Sequence, residues 1–432
     1  MRSVNFKKTN KKKSSWVLAT LLMKKYLDSS EKPDELFNSL PISIDQVQLN
    51  HCKFLLYGAL RNLLRIKSAL NNLIQKKPKN LVYAIFYICG YELLECSGSK
   101  KEKIIHNTVE EAKRIVSAHE VKFINAVLRK LTTELDNQSP EQSLSIYYSH
   151  PQWLVEHWTD QFGAENTESL LKWNQNIPHL YLYSKSLSKE IETKLSLTVR
   201  PDLYELPDKG LQDPEIKEIL ISGQGYIKDP ATLNAVDALD PKPNETILDL
   251  CASPGGKTFD CIQRMDNTGT IVAVDLPNKR LKRLEENLRS FQKENPNLRI
   301  VPQDILEIDD KIFEAHDLPS RYDGILLDAP CSNTGVIQRK PDIRWRLNAD
   351  DINECAKLQL SLLTKASQWI KPEGRLVYST CSIDYKENDA VIEAFLNSPK
   401  GNSFNLTEKK IHYPWEKKHD GAGVFLLQKS NV

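Results

Sequence analysis

The sequence predicts a multidomain protein: an all-α bundle, then a small α+β connector, then an α/β domain built on a parallel sheet. Three observations predict it. Up to about residue 135 Gly and Pro are few, and apolar residues recur at helical spacing. A break of loop composition follows at Asp136 to Pro140. From about Ile227, short β-rich apolar runs alternate with longer amphipathic stretches, the pattern of a parallel sheet with helices on both faces.

In chain order, residues 1–138 form the expected bundle, with helical faces read from Phe54, Leu55, Ala59 and Leu63 and from Val82, Ile85, Phe86 and Leu93. Its first thirty residues carry Arg2, Lys7, Lys8, Lys11, Lys12, Lys13, Lys24 and Lys25 against one acid, Asp28. Such an arm suits RNA phosphates. Residues 139–226 are the expected connector, with a tryptophan-bearing helix from Trp153 to Phe162 and a strand from Leu180 to Tyr183. Residues 227–432 are the expected α/β domain, with strands at Thr246–Leu250, Thr270–Asp275, Arg299–Asp304, Tyr322–Asp328 and Gly374–Thr380.

Of 432 residues, 40% are hydrophobic and 27% charged, and no apolar run approaches the length of a membrane span. A soluble, cytoplasmic, monomeric protein is expected, with no membrane partner. The net charge is only +2, so any nucleic-acid footprint must come from local clusters. The eight cysteines include no C-x-x-C pair, which excludes zinc-finger spacing and gives no reason to expect a metal. They read as free thiols, so a special cysteine must be found by its neighbours.

In parallel sheets ligands bind beyond the carboxyl ends of the strands. After the first strand comes the glycine-bearing turn Cys251-Ala252-Ser253-Pro254-Gly255-Gly256-Lys257-Thr258, and Asp275 ends the next strand. Glycines let backbone approach a ligand, and a strand-end acid takes ribose hydroxyls, so a nucleoside-containing cofactor is implied. The G-x-G-x-x-G spacing is absent, which counts against NAD, and the P-loop spacing also fails. Asp304 is expected to close the third strand, where a carboxylate can accept from an exocyclic amine such as that of adenine.

Two cysteine motifs end the fourth and fifth strands: Asp328-Ala-Pro-Cys331-Ser-Asn-Thr-Gly335 and Tyr378-Ser-Thr-Cys381-Ser382. Both are expected to open into one crevice. Carbon 5 of cytosine becomes nucleophilic enough to take a methyl group only after a thiolate adds at carbon 6. A carboxyl hydrogen bond to ring N3 offsets the charge that develops, and loss of the carbon 5 proton expels the thiolate. Cys381, Asp328 and Cys331 supply that minimum set. Methylation of an amino group would need no thiol, and the Asp-Pro-Pro-aromatic type of motif it favours is absent.

With these segments the C-terminal half resembles the RNA cytosine-5 methyltransferases of the RsmB (Sun/Fmu) type, within the Nol1/Nop2/Sun group. Arg339 to Arg346, Gln359, Glu387-Asn388 and Asp420-Gly421 add to the likeness. Phe54 to Arg61 and Phe123 to Lys130 resemble the NusB-like domain of that family, and Tyr148 to Trp153 its connector. The resemblance implies a NusB-like RNA-binding bundle, a Rossmann-like catalytic domain, S-adenosylmethionine as cofactor and a cytosine of small-subunit (16S) ribosomal RNA as substrate. It assigns the nucleophile to Cys381, product release to Cys331 and base contact to Asp328. Cofactor contacts fall to Cys251, Ala252, Ser253, Pro254, Gly255, Gly256, Lys257, Asp275, Asp304 and Asp328. By analogy, Asn125 and Arg129 touch RNA. Ser253, Asn333 and Lys228 depart from the family's usual Ala, Gly and Gln, and the connector departs around Pro178-His179. Methylation of transfer RNA or another RNA is the alternative within the same chemistry; a non-catalytic RNA-binding assembly factor is the alternative outside it.

Overall fold

The computed structural model describes residues 14–40, 44–185, 187–295 and 297–431. Arg2 to Lys13 of the expected basic arm lie outside the described residues. Lys24 and Lys25, which are described, sit on helix Ser15–Ser29 and pair with Asp28 and Glu31 at 2.5 and 2.8 Å.

Two compact units divide the chain: one runs to Asn176 and includes Lys340–Arg346, and the other holds Ile177–Arg339 and Leu347–Val432. The expected connector, 139–226, is therefore shared between them.

The first unit is helical. Its longer helices are Ser15–Ser29, Gln46–Arg61, Asn80–Glu95, Lys100–Ala112 and Ala118–Asp136, followed by Gln152–Phe162 and Ala164–Gln175. Sequence sets their ends: Ser117 and Glu120 form a reciprocal capping box, and Gly163 (φ 79°) is the left-handed joint between the last two helices. Val82, Ile85, Phe86 and Leu93 enter the core as expected, together with Leu22, Leu55, Leu56, Ala59 and Leu128. Phe54 does not. It is 42% exposed, because the buried face of its helix runs through Cys52, Leu55, Leu56 and Ala59, leaving Phe54 at the margin against Tyr91. Tyr91 in turn lies where a Cβ on Gly58 would stand, so only glycine lets these helices approach so closely.

The second unit holds two sheets. The smaller is antiparallel, with β1 (Tyr181–Tyr183), β2 (Ser196–Leu197), β3 (Leu203–Glu205) and β4 (Tyr226–Ile227) in the order β2-β3-β1-β4. Sequence reading found only the first of these strands.

The larger sheet contains β5 (Thr246–Leu250), β6 (Thr270–Asp275), β7 (Leu298–Pro302), β8 (Tyr322–Asp328), β9 (Ile370–Thr380), β10 (Phe404–His412) and β11 (Ala422–Lys429). Their order is β10-β11-β9-β8-β5-β6-β7, with β7, β6, β5, β8 and β9 parallel and the β10–β11 hairpin antiparallel to β9. This is the expected Rossmann-like sheet, and its apolar strands are buried on both faces, by Leu248, Val272, Ile325 and Leu376 on one and Ile247, Ala273, Leu326 and Val377 on the other. The third strand ends two residues early: it stops at Pro302, and Asp304 caps the short turn Ile305–Glu307 beyond it. Among the described residues no helix is long and apolar enough to cross a membrane.

Candidate active site

The ends of β5, β6, β8 and β9 carry the site. Cys251 (φ 61°) and Gly255 (φ 100°) turn the chain sharply after β5 and open helix Gly256–Arg264. A Cβ on Gly256 would meet nothing within 4 Å, so this turn faces open space. The Ser253 N–H donates to Asp275 Oδ2 at 2.8 Å, and the Leu276 N–H donates to Oδ1 at 2.8 Å. The turn and the strand-end acid are thus locked to each other. Ser253 Oγ is buried with no partner. Asp304 stands apart: its carboxylate accepts from Leu306 N at 2.9 Å, and no bond joins it to the other candidates among the described residues.

Lys257, expected at the cofactor, reaches across to the base-contact candidate. Its Nζ donates to Asp328 Oδ2 at 2.6 Å, while Ser379 Oγ donates to Oδ1 at 2.9 Å. Burial presses the Lys257 ammonium down, but the Asp328 carboxylate outweighs it and leaves Lys257 above its ordinary range. Beneath this pair lies Asp249, which sequence reading did not single out. It is fully buried on β5 and accepts from Thr258 Oγ1 at 2.5 Å, and burial pushes its carboxyl up to about 7.

The two cysteines converge as expected. Parallel pairing sets Asp328 opposite Ser379, so the turns after β8 and β9 leave the sheet side by side. Cys331 Sγ and Cys381 Sγ lie 3.0 Å apart. The Cys381 thiol also donates to Asn333 Oδ1 at 3.1 Å, and Asn333 Nδ2 donates to the Cys331 carbonyl at 2.6 Å. Asn333 has φ 63°, a conformation that favours Gly or Asn, which accounts for its departure from glycine. The neighbouring Cys381 sulfur and burial together hold the Cys331 thiol well above its usual range.

Glu387 braces both turns, a role the sequence did not disclose. Its carboxylate accepts from Ser332 N at 2.8 Å, from Ser382 Oγ at 2.5 Å, from Gln359 Nε2 at 3.0 Å and from Ser332 Oγ. The one available signal was the repeated Cys-Ser of the two motifs, whose serines need a shared acceptor. Gly335 donates to the Cys381 carbonyl at 3.0 Å and accepts from Gly421 N at 2.8 Å, and any Cβ there would strike the Gly421 carbonyl. Arg339 closes the segment, binding Asp229 and, at 2.7 Å, Asp420. Lys228, the other departure, pairs with Asp260 among the rings of Tyr183, Phe259 and Tyr226.

Residues 236–423 match the family described as 16S rRNA methyltransferase RsmB/F, and residues 9–133 match the NusB family. Ribosomal RNA small subunit methyltransferase B of Shewanella oneidensis is 30% identical over 395 residues, covering 88% of this chain and 89% of that protein. The chain belongs to the RsmB/F methyltransferase family. The protein of the same name from Vibrio cholerae is 32% identical over 84% of this chain and 85% of its own length. Among solved structures, PH0851 superimposes with a TM-score of 0.74 at 23% identity, covering 98% of this chain and 100% of that one. NSun6 from Pyrococcus horikoshii gives 0.54 at 20% identity, over 65% of this chain and 98% of that one. These two share the fold. As an RsmB/F methyltransferase, the chain joins its NusB-like helices to a Rossmann-like sheet, the architecture expected from its sequence.

Proposed function

We propose that the chain transfers a methyl group from S-adenosylmethionine to carbon 5 of a cytosine in small-subunit ribosomal RNA, through a covalent bond between Cys381 and carbon 6. The observation that carries this reading is the pair of sulfurs 3.0 Å apart beside the Lys257–Asp328 ion pair. The RsmB/F relatives, named for small-subunit ribosomal RNA, support the choice of substrate. In this reading residues 1–138 are the RNA-binding domain, with Arg129 exposed on its helix, 139–226 the connector and 227–432 the catalytic domain. It acts in the cytoplasm, as a monomer and without a metal.

The residues present fit the cofactor: the Cys251–Lys257 turn is open at Gly256, offers the unpartnered Ser253 hydroxyl, and is tied to the Asp275 carboxylate. Bound there, the cofactor supplies an electrophilic methyl group on a sulfonium. Asp304, beyond β7, would hold its base.

Cys381 loses its thiol proton to solvent, the one proton the overall reaction releases; the thiolate Sγ forms a bond to carbon 6, and the displaced electron pair gathers at carbon 5. Asp328 fixes the ring: paired with Lys257 it accepts from the cytosine amine, and, taking a proton from Lys257 Nζ, it donates to N3. Once carbon 5 has taken the methyl group, its proton leaves, the electron pair returns, and the bond between Sγ and carbon 6 breaks. Cys331, a thiol within hydrogen-bond reach of that sulfur, gives its proton to the departing Sγ and is reprotonated as carbon 5 loses its own.

The test is bisulfite sequencing of ribosomal RNA from cells lacking the protein, complemented with wild type, Cys381→Ala or Cys331→Ala. One small-subunit cytosine should lose methylation and regain it with wild type alone. Unchanged methylation at every ribosomal cytosine overturns the substrate assignment.

A further inference from the structure

Lys340–Arg346 belongs to the helical unit although the residues on either side belong to the sheet-bearing unit. Two side chains of this excursion are seated in the helices. Arg344 is fully buried, and its guanidinium meets main-chain carbonyls instead of a carboxylate. Nη1 donates to the carbonyls of Ser149 at 3.0 Å and of Tyr148 and Arg61 at 3.4 Å, and Nη2 donates to that of Asn174 at 3.2 Å. Trp345 Nε1 donates to the Leu60 carbonyl at 2.7 Å.

All of these acceptors but the Ser149 carbonyl have a common origin. Leu60 and Arg61 end helix Gln46–Arg61, Tyr148 caps helix Leu144–Tyr147, and Asn174 lies in the last turn of helix Ala164–Gln175. The last carbonyls of a helix lack intrahelical donors and carry its negative dipole end. Three helix ends therefore stand in for an anion. The arrangement is costly, since burial drives this guanidinium well below its normal range with Arg61 adding to the effect. The nearest carboxylate on the excursion, Asp342, is engaged by Arg346 Nε at 2.9 Å.

The excursion begins one residue after Arg339, which is clamped to Asp229 and Asp420, and the chain before it leads back to Cys331. We propose that Arg344 and Trp345 are positioning residues for methyl transfer, anchoring the far end of the Cys331 loop among the helix ends of the helical unit. Neither touches the reacting atoms. They act by restraining the loop whose thiol must stay beside Cys381, so the helical unit serves the chemistry as well as RNA binding. This rests on the reading of Cys331 given above.

The test uses the full-length protein with Arg344→Met, Arg344→Lys and Trp345→Phe, the last removing the indole N–H together with one ring of the side chain. The first readout needs neither RNA nor cofactor: the rate at which iodoacetamide alkylates Cys331, read by peptide mass. Loosening a loop raises the exposure of its thiol, so Arg344→Met should alkylate about fivefold faster or more, Trp345→Phe about twofold, and Arg344→Lys between them. The second is methyl transfer, where kcat should fall about tenfold in Arg344→Met with KM for S-adenosylmethionine unchanged. Unchanged Cys331 alkylation in variants that keep the wild-type circular dichroism overturns the proposal, even if their melting temperatures fall. Should wild type methylate no RNA, the functional reading fails by itself and the alkylation rates still decide the anchoring.

Discussion

The sulfur of Cys331 stands 3.0 Å from that of Cys381, close enough for a proton to pass directly between them. This gives the two cysteines separable phenotypes. Cys381→Ala should lower methyl transfer by about 10⁴-fold or more and form no adduct. Cys331→Ala should still add to the base but release it slowly, leaving a protein–RNA band on a denaturing gel. A band with Cys381→Ala and none with Cys331→Ala would exchange their roles.

Glu387 holds four donors from the two catalytic turns and the helix that carries Gln359. Glu387→Ala strands them in the interior and should cost about 3–5 kcal/mol in urea denaturation. Turnover should fall with it. Glu387→Gln keeps the volume and one acceptor oxygen, so a loss as large as that of alanine would speak against the bracing role.

Asp249 binds its proton more tightly in the folded chain, where burial holds the carboxyl near 7, than in the unfolded chain, where it titrates near 4. Between those values the folded state carries the extra proton, so this group's contribution to stability declines as pH rises. Asp249→Asn keeps an acceptor for Thr258 and cannot ionise. Its melting temperature relative to wild type should rise between pH 5 and pH 8, by an amount on the order of 2–4 kcal/mol in stability. A pH-independent difference removes the assignment.

Asn333 occupies a left-handed backbone conformation and bridges the two cysteine turns. Asn333→Ala should lose about 1–2 kcal/mol from the strained backbone, and Asn333→Gly less, in chemical denaturation. Both lose the amide that bridges Cys331 and Cys381, so both should release product more slowly in single-turnover assays.

Much of this was legible in the sequence, for reasons that differ between elements. β5, β6 and β8 have the expected bounds, because short runs rich in β-branched residues and leucine, set between turn residues, admit little else. β7 is the exception: it stops at Pro302, and after one more bond, from Gln303 N to the Asp275 carbonyl at 3.0 Å, the chain turns away and leaves Asp304 beyond the strand. β10 was missed because most of its residues are exposed and polar or charged, so it carries no apolar run to read. The pairing of Cys331 with Cys381 was legible because parallel strands end on one side of a sheet. The Glu387 brace and the seating of Arg344 were not. Each depends on partners from several distant segments, and a buried arginine held by main-chain carbonyls looks, in sequence, like one on the surface.

Arg339 joins Asp229 and Asp420, which are 191 positions apart in the chain. Closing so long a loop is entropically unfavourable until the intervening sheet has formed. The cysteine turns, fastened to this clamp, are thus among the last parts of the unit to reach their native arrangement as the protein folds. With the sheet built and the clamp still open, the two turns would already leave the sheet side by side, and the segment after Cys331 would be the part left to fasten.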